Sequence, residues 1–512
     1  MTDLVLIMAD QLRADALGSA GNPAARTPHL DALAARGMRF RDHLTPNQIC
    51  SPSRGTLFSG RYARRHGLVH NGIALPADIE LLPHALARAG WRTHGVGKFH
   101  FQPILAAGEL AMPDSNAFWR RAESANWRGP FYGFDTVDIL IGESVAATDG
   151  GHYARWLAGT APQAIRLYGR DHALAPPPDD LDEVWKCAVP EHLHYNTWIA
   201  DRACDAIRQT SRHDRLFLYV SFPDPHHPFT PPAPWCDLVS PVDVTLPDFQ
   251  ARELDRMPDY IARDAGAEAR PRTDGKSYVE FLTSPGAPRE QGFMRSTEGI
   301  SAATLRLAIA HTHGAIAMID HAVGRILAAL GDADRLDDTI IVFTSDHGEL
   351  LGDHGLLRKG PPPYRQLLQV PLLMAGPGVA HGVAEGPTSH VDLKATLLDL
   401  LDVDGDFGDG HSFASAVRNL DDEPRAEILA EYHPRIVADQ YNQTLITRDW
   451  RLTVYPRRSD WGELFDRQRD AGEHRNLFHE RHLRSIREGL CERLGLIWPP
   501  APDAGGPKLA VY

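Results

Sequence analysis

Leu4-Val5-Leu6-Ile7-Met8-Ala9-Asp10-Gln11 is apolar for six residues and then abruptly polar. A half-exposed strand would alternate, so the unbroken run reads as a central parallel strand buried on both faces. Its carboxyl end delivers Asp10 and Gln11 into the crevice where open α/β sheets place their sites. An aspartate after a strand can equally cap the helix that follows, and Asp10 alone leaves both readings open.

Residues 339–344 are a second run of the same kind and lead into Ser345-Asp346-His347-Gly348-Glu349. A helix cap would explain Asp346 but not His347. Residues 91–96 read as a strand ending in Gly97-Lys98-Phe99-His100, and residues 216–222 as one ending in Pro223-Asp224-Pro225-His226-His227-Pro228-Phe229. Taken singly, Lys98 is better read as a solvated lysine, and the paired histidines are equally well read as surface residues. Residues 370–374 form another buried strand. Between these runs, residues 27–39, 81–89, 197–210 and 311–330 read as helices, and in the last Ile316, Ile319, Val323, Ile326 and Leu327 share one face. His311 and His313, two apart on that helix, point in different directions and make no metal pair. The pattern predicts an α/β fold with a large mixed, mostly parallel sheet sandwiched by helices.

Residues 103–190 and 236–300 lack sustained periodicity and read as insertions. In the first, Trp127, Tyr132, Phe134, His152, Tyr153 and Trp156 either line an aromatic pocket or pack the insertion onto the main body. A link rich in Gly and Asp near 402–411 leads to a smaller α+β region with short strands at 428–432, 443–448, 451–455 and 463–466. A helix over about 480–495 and an extended tail close the chain. The organisation expected is a domain over 1–405 with the two insertions, then a smaller one over 406–512.

The chain has 512 residues and a formal net charge of -14, which argues against a nucleic-acid partner or an anionic membrane surface but not against an anionic substrate in a local cationic pocket. No signal peptide is legible at the start, and no uninterrupted apolar run has membrane-spanning length. Cys50, Cys187, Cys204, Cys236 and Cys491 are scattered without CxxC pairing. That usage suits a reducing cytoplasm, with four buried thiols and one special one.

Ile49-Cys50-Ser51-Pro52-Ser53-Arg54-Gly55-Thr56-Leu57-Phe58-Ser59-Gly60-Arg61 sets CxPxR ahead of LxxG at fixed spacing. Residues 55–61 read as the start of a helix, whose exposed N–H groups and positive dipole end suit an anionic ester. The stretch resembles the signature of type I sulfatases, the formylglycine-dependent members of the alkaline phosphatase superfamily. GKxH at 97–100, the loop after residue 222, SDHG at 345–348 and Lys359 resemble further motifs of that family, although residues 388–401 depart from it at Lys394-Ala395. With Gln11 and His347 in place of the usual Asp and Asn or Gln, the set is similar to arylsulfatases, choline sulfatases and phosphonate monoester hydrolases.

The resemblance implies an alkaline-phosphatase-like fold and a sulfuric ester hydrolase acting on aryl or other small sulfate monoesters. A phosphonate monoester or phosphodiester hydrolase is the alternative, and a non-catalytic metal-binding homologue a third reading. It implies formylglycine made from Cys50 by a formylglycine-generating maturation enzyme, and a divalent metal held by Asp10, Cys50, Asp346 and His347, with Gln11 left open. An imidazole donor favours Mn²⁺, with Ca²⁺ possible. Lys98, Lys359 and Arg54 supply positive charge, Arg54 by orienting the formylglycine. His226 with Lys359 protonates the leaving oxygen, and His100 takes a proton from the hydrated aldehyde. The tail after Trp498 predicts a homo-oligomer by crossing to another subunit.

Overall fold

The computed structural model describes residues 2–248, 294–420, 425–434, 440–458, 460–501 and 503–510. An eight-stranded sheet contains β1 (Asp3–Ala9), β2 (Met38–Leu44), β3 (Trp91–Gly97), β4 (Thr136–Ile139), β5 (Arg215–Phe222), β7 (Thr339–Ser345), β9 (Leu372–Ala375) and β10 (Gly382–Ser389). The order across it is β10-β2-β9-β7-β1-β5-β3-β4. β9 runs antiparallel to both neighbours and every other pairing is parallel, so the sheet is mixed and mostly parallel as expected.

The unbroken apolar runs are explained by two core layers. Leu4, Leu6 and Met8 join Phe217, Tyr219, Ile340 and Val342 on one face, while Val5, Ile7 and Ala9 join Leu218, Val220, Ile341 and Phe343 on the other. Each fully buried large side chain contributes about 1.5–3 kcal/mol, which is why both faces of the central strands are mainly apolar. Ala9 pairs with both Phe222 and Ser345, and Gly97 with Ser221. The residues that follow these four strands therefore leave the sheet at one level, on one edge.

The helix expected over 27–39 stops at Ala35, and β2 begins at Met38. Gly37 between them lies against β9, where an added Cβ would stand 2.1 Å from the Met374 carbonyl oxygen. The first insertion is also more regular than its composition implies. It supplies edge strand β4 and a helix, Gly151–Thr160. Its aromatic residues pack: Phe134 and Tyr153 are buried in the two cores, and Trp127, Tyr132 and Trp156 lie against them. His152 accepts from Ile139 N at 2.9 Å and donates from Nε2 to Trp127 O at 2.8 Å. Of the second insertion, residues 249–293 lie outside the described residues.

β6 (Met294–Ser296) and β8 (Leu356–Arg358) form an antiparallel ribbon. Helix Ala302–Asp332 follows β6, capped by Ser301, whose hydroxyl accepts from Thr304 N at 3.2 Å. By length and mean hydropathy (1.3) it could cross a membrane, yet Ile316, Ile319, Val323 and Ile326 pack into the second core layer. β11 (Glu427–Tyr432), β12 (Asn442–Thr447), β13 (Trp450–Val454) and β14 (Gly462–Asp466) make an antiparallel sheet covered by helix Arg484–Ile497. The tail folds onto its own chain: Gly506 N donates to Gly67 O at 2.9 Å and Leu509 N to Gly72 O at 2.8 Å. All five cysteines are free, and Cys491 is half-buried rather than buried.

Candidate active site

The helix carrying the CxPxR stretch runs Cys50–Ser59, so it starts at Cys50 itself, five residues before the expected start. Pro52 fits there because first-turn N–H groups have no acceptor within the helix. Asn71 Oδ1 accepts from one of them, Ser51 N, at 3.2 Å. Leu57 is fully buried in the core, and Gly60 ends the helix in the left-handed region (φ 69°). A Cβ at Gly60 would stand 2.5 Å from Phe407 O. Leu57 and Gly60 thus have folding roles beyond marking the cysteine. Burial, with Asp10 adding to it against Lys359 and Lys98, pushes the Cys50 thiol up to about 11.

Around Cys50 the strand ends converge. One ligand atom from each of Asp10, Cys50, Asp346 and His347 lies within 4.8 Å of the others. Cys50 Sγ is 3.2 Å from His347 Nε2, and His347 Nδ1 donates to Gly348 O at 2.9 Å. That bond places the ring proton on Nδ1 and turns the Nε2 lone pair inward, as a metal ligand requires. Burial pushes the His347 imidazole down to about 4 against Asp346, so it is neutral. Arg54 fixes both carboxylates, donating from Nε to Asp346 Oδ2 at 2.9 Å and from Nη2 to Asp10 Oδ2 at 3.1 Å. Its Nη1 reaches Lys98 O, Tyr219 OH and Ser221 Oγ at 2.8, 3.1 and 2.9 Å. Burial alone would raise the Asp10 carboxyl, but the cations Lys98, Arg54 and Lys359 outweigh it and hold it well below the ordinary range.

Lys359 Nζ stands 3.0 Å from Cys50 Sγ, 3.0 Å from Gln11 Oε1 and 2.9 Å from His226 Nε2. His226 Nδ1 lies 2.5 Å from His227 O, which assigns the ring proton to Nδ1 and leaves Nε2 to accept from Lys359. Burial, reinforced by Lys359, pushes the His226 imidazole well below its ordinary value; burial with Lys98 and Arg54 does the same to His100. His100 and Gln11 both occupy the left-handed region, at φ 58° and 66°, a conformation of stored strain common at functional sites.

A sequence model of the family described as Sulfatase matches residues 2–403, the greater part of the chain. The chain belongs to the sulfatase family. A second model, N-sulphoglucosamine sulphohydrolase, C-terminal, matches residues 352–497 of this sulfatase. Over 493 residues it is 25% identical to an arylsulfatase of Clostridium perfringens, covering 93% of this chain and 90% of the relative. A choline-sulfatase of Rhizobium meliloti is 26% identical over 488 residues, with 93% and 82% covered. The fold resembles the crystal structure of the phosphonate monoester hydrolase of Agrobacterium radiobacter, with TM-score 0.76 and 23% identity over 96% of this chain and 95% of that one. The sulfatase is a hydrolase acting on sulfuric ester bonds.

Cys50, Arg54, Lys98, His100, His226, Lys359, Asp10, Asp346 and His347 are all buried at the carboxyl edge of the parallel strands or the helix end facing it. The donor set of this sulfatase fits one divalent cation: two carboxylates held by a single guanidinium, an imidazole with its lone pair turned inward, and the Cys50 position. Gln11 adds a backbone N–H to Asp346 Oδ1 at 3.0 Å, while its side chain engages Lys359, His227 and Glu349. Sequence reasoning missed Glu143, whose carboxylate lies 3.1 Å from Lys98 Nζ and 3.7 Å from His226 Nδ1. It lies four residues beyond the end of β4, after Leu140-Ile141-Gly142, so its signal in the sequence was only a short apolar run ending in a polar group.

Proposed function

We propose that the enzyme cleaves small sulfate monoesters, aryl sulfates among them, through formylglycine made from Cys50 by a formylglycine-generating enzyme. The observation that carries this reading is Cys50 itself, at the first position of its helix and set between His347 Nε2 and Lys359 Nζ. A hydrated aldehyde has two hydroxyls. One attacks sulfur, the ester S–O bond breaks, and the alcohol departs with a proton. The second loses its proton, the C–O bond to the sulfate breaks, and the aldehyde is restored. A cysteine or serine would instead stop at a sulfated enzyme that is slow to hydrolyse.

Arg54 holds Asp10 and Asp346 in place, and Lys98 and Lys359 bring positive charge to oxygens in a buried, weakly screened site. Because His226 Nε2 accepts from Lys359, the proton for the leaving oxygen comes from Lys359, which His226 holds in place. His100, neutral, takes the proton of the second hydroxyl. Asp10, Asp346, His347 and the modified Cys50 would hold a divalent metal, with Mn²⁺ favoured by the imidazole. When bound, it polarises the ester oxygens and favours the ionised diol.

A phosphonate monoester hydrolase using the same residues is the second reading, supported by Gln11 beside Asp10. Lys98 and His100 favour sulfate. The ratio of kcat/KM for 4-nitrophenyl sulfate to that for a phenyl phosphonate ester decides between them, and a large preference for the phosphonate would overturn the first.

A further inference from the structure

Among the buried charges at the site, Glu143 is out of place. Asp10 and Asp346 belong to the set of converging ligand atoms, but Glu143 does not. Its Oε2 is 3.1 Å from Lys98 Nζ, and its Oε1 is 3.7 Å from His226 Nδ1. Lys98 Nζ already lies 2.8 Å from Asp10 Oδ2, so one ammonium group serves two carboxylates. Burial alone would lower the Lys98 ammonium, but Asp10 and Glu143 outweigh it and hold it charged. Glu143 therefore neutralises part of the positive charge that should receive the ester oxygens, and does so from a position only 7% exposed, where water screens little.

A carboxylate in that position penalises every anion, and the penalty grows with the anion's charge. Sulfate monoesters, phosphonate monoesters and phosphodiesters carry one negative charge. A phosphate monoester carries nearly two above its second pKa near 6. We propose that Glu143 is a charge-selecting residue that admits monoanionic esters and rejects dianionic phosphate monoesters. The proposal rests on the anionic-ester reading above but not on whether sulfur or phosphorus is the better centre. Glu143 acts through Lys98 and the field of the pocket, not by touching the reacting atoms.

Three substrates with one leaving group separate charge from atom type: 4-nitrophenyl sulfate, bis(4-nitrophenyl) phosphate and 4-nitrophenyl phosphate, at about pH 8. In Glu143→Gln, kcat/KM for the phosphate monoester should rise at least about tenfold relative to both monoanions, the size expected for one charge removed a few ångströms away in a buried site. The ratio between the two monoanions should stay within about threefold. Glu143→Asp, which keeps the charge, should keep the wild-type ratios, and Glu143→Ala serves as a second neutral variant. Equal changes for all three substrates would reduce Glu143 to a structural role, and a joint rise of both phosphorus substrates would assign it to atom type or space; either overturns the proposal. If the wild type cleaves the diester but not the sulfate, the sulfate reading falls while the ratio of monoester to diester still tests Glu143. Calorimetric binding of phenyl phosphate and phenyl sulfate to the unconverted Cys50 protein gives the same comparison without turnover.

Discussion

Arg54 donates from Nε to Asp346 Oδ2 at 2.9 Å, tying the helix that begins at Cys50 to the strand end that carries His347. The same guanidinium reaches Asp10 Oδ2, and all three side chains are 0% exposed. A planar fork can hold two carboxylates in fixed orientation, whereas an ammonium cannot. Arg54→Lys should lower divalent-metal affinity about 10–100-fold, the usual effect of removing a group that orients ligands. It should also cost about 3 kcal/mol of stability through the broken buried pairs. Metal titration and urea unfolding check the two effects, and unchanged metal affinity would show that the carboxylates are positioned without Arg54.

Lys359 is placed to give a proton to the leaving oxygen, and the need for that proton depends on the ester. 4-Nitrophenolate leaves without help, but an alkoxide does not. Lys359→Met should therefore reduce kcat/KM for alkyl sulfates by a further factor of about 10²–10⁴ beyond its loss with 4-nitrophenyl sulfate. Equal losses on both substrates would leave Lys359 with only an electrostatic role.

Away from the site, Asp320 on helix Ala302–Asp332 accepts from Leu30 N at 2.8 Å and His29 N at 3.2 Å, capping helix Pro28–Ala35 from outside. Burial pushes its carboxyl up to about 6, although those two N–H bonds oppose it. The unfolded chain gives up this proton first, near its ordinary value of 3.8, so the contribution to stability is full below that pH and is lost as pH rises through about 6. Urea unfolding of the wild type should lose up to about 2 kcal/mol between these values that Asp320→Asn does not lose. Parallel pH profiles for the two proteins would contradict the assignment.

Much of this was legible in the sequence because apolar runs with abrupt polar ends are hard to place anywhere but in a parallel sheet. β1 and β7 were read that way, and Asp10 and Asp346 followed from them. What stayed hidden depended on contacts distant in sequence. β4 is only four residues long and lies in a stretch rich in turns, so Glu143 could not be tied to Lys98. The boundary at Gly37 is set by the Met374 carbonyl, far along the chain. Lys394, where the sequence departs from the family pattern, ties helices together: its buried ammonium donates to Glu80 O at 2.8 Å and Ser59 O at 3.4 Å, the latter at the end of the Cys50 helix.

Co-expression with a formylglycine-generating enzyme, followed by intact mass and turnover of 4-nitrophenyl sulfate on the same samples, measures whether Cys50 is the precursor of the nucleophile. Conversion should lower the mass by about 18 Da through thiol-to-aldehyde oxidation, activity should rise in proportion to the converted fraction, and Cys50→Ala should be inactive. Full activity in protein whose Cys50 is unconverted, or in Cys50→Ala, would contradict the mechanism.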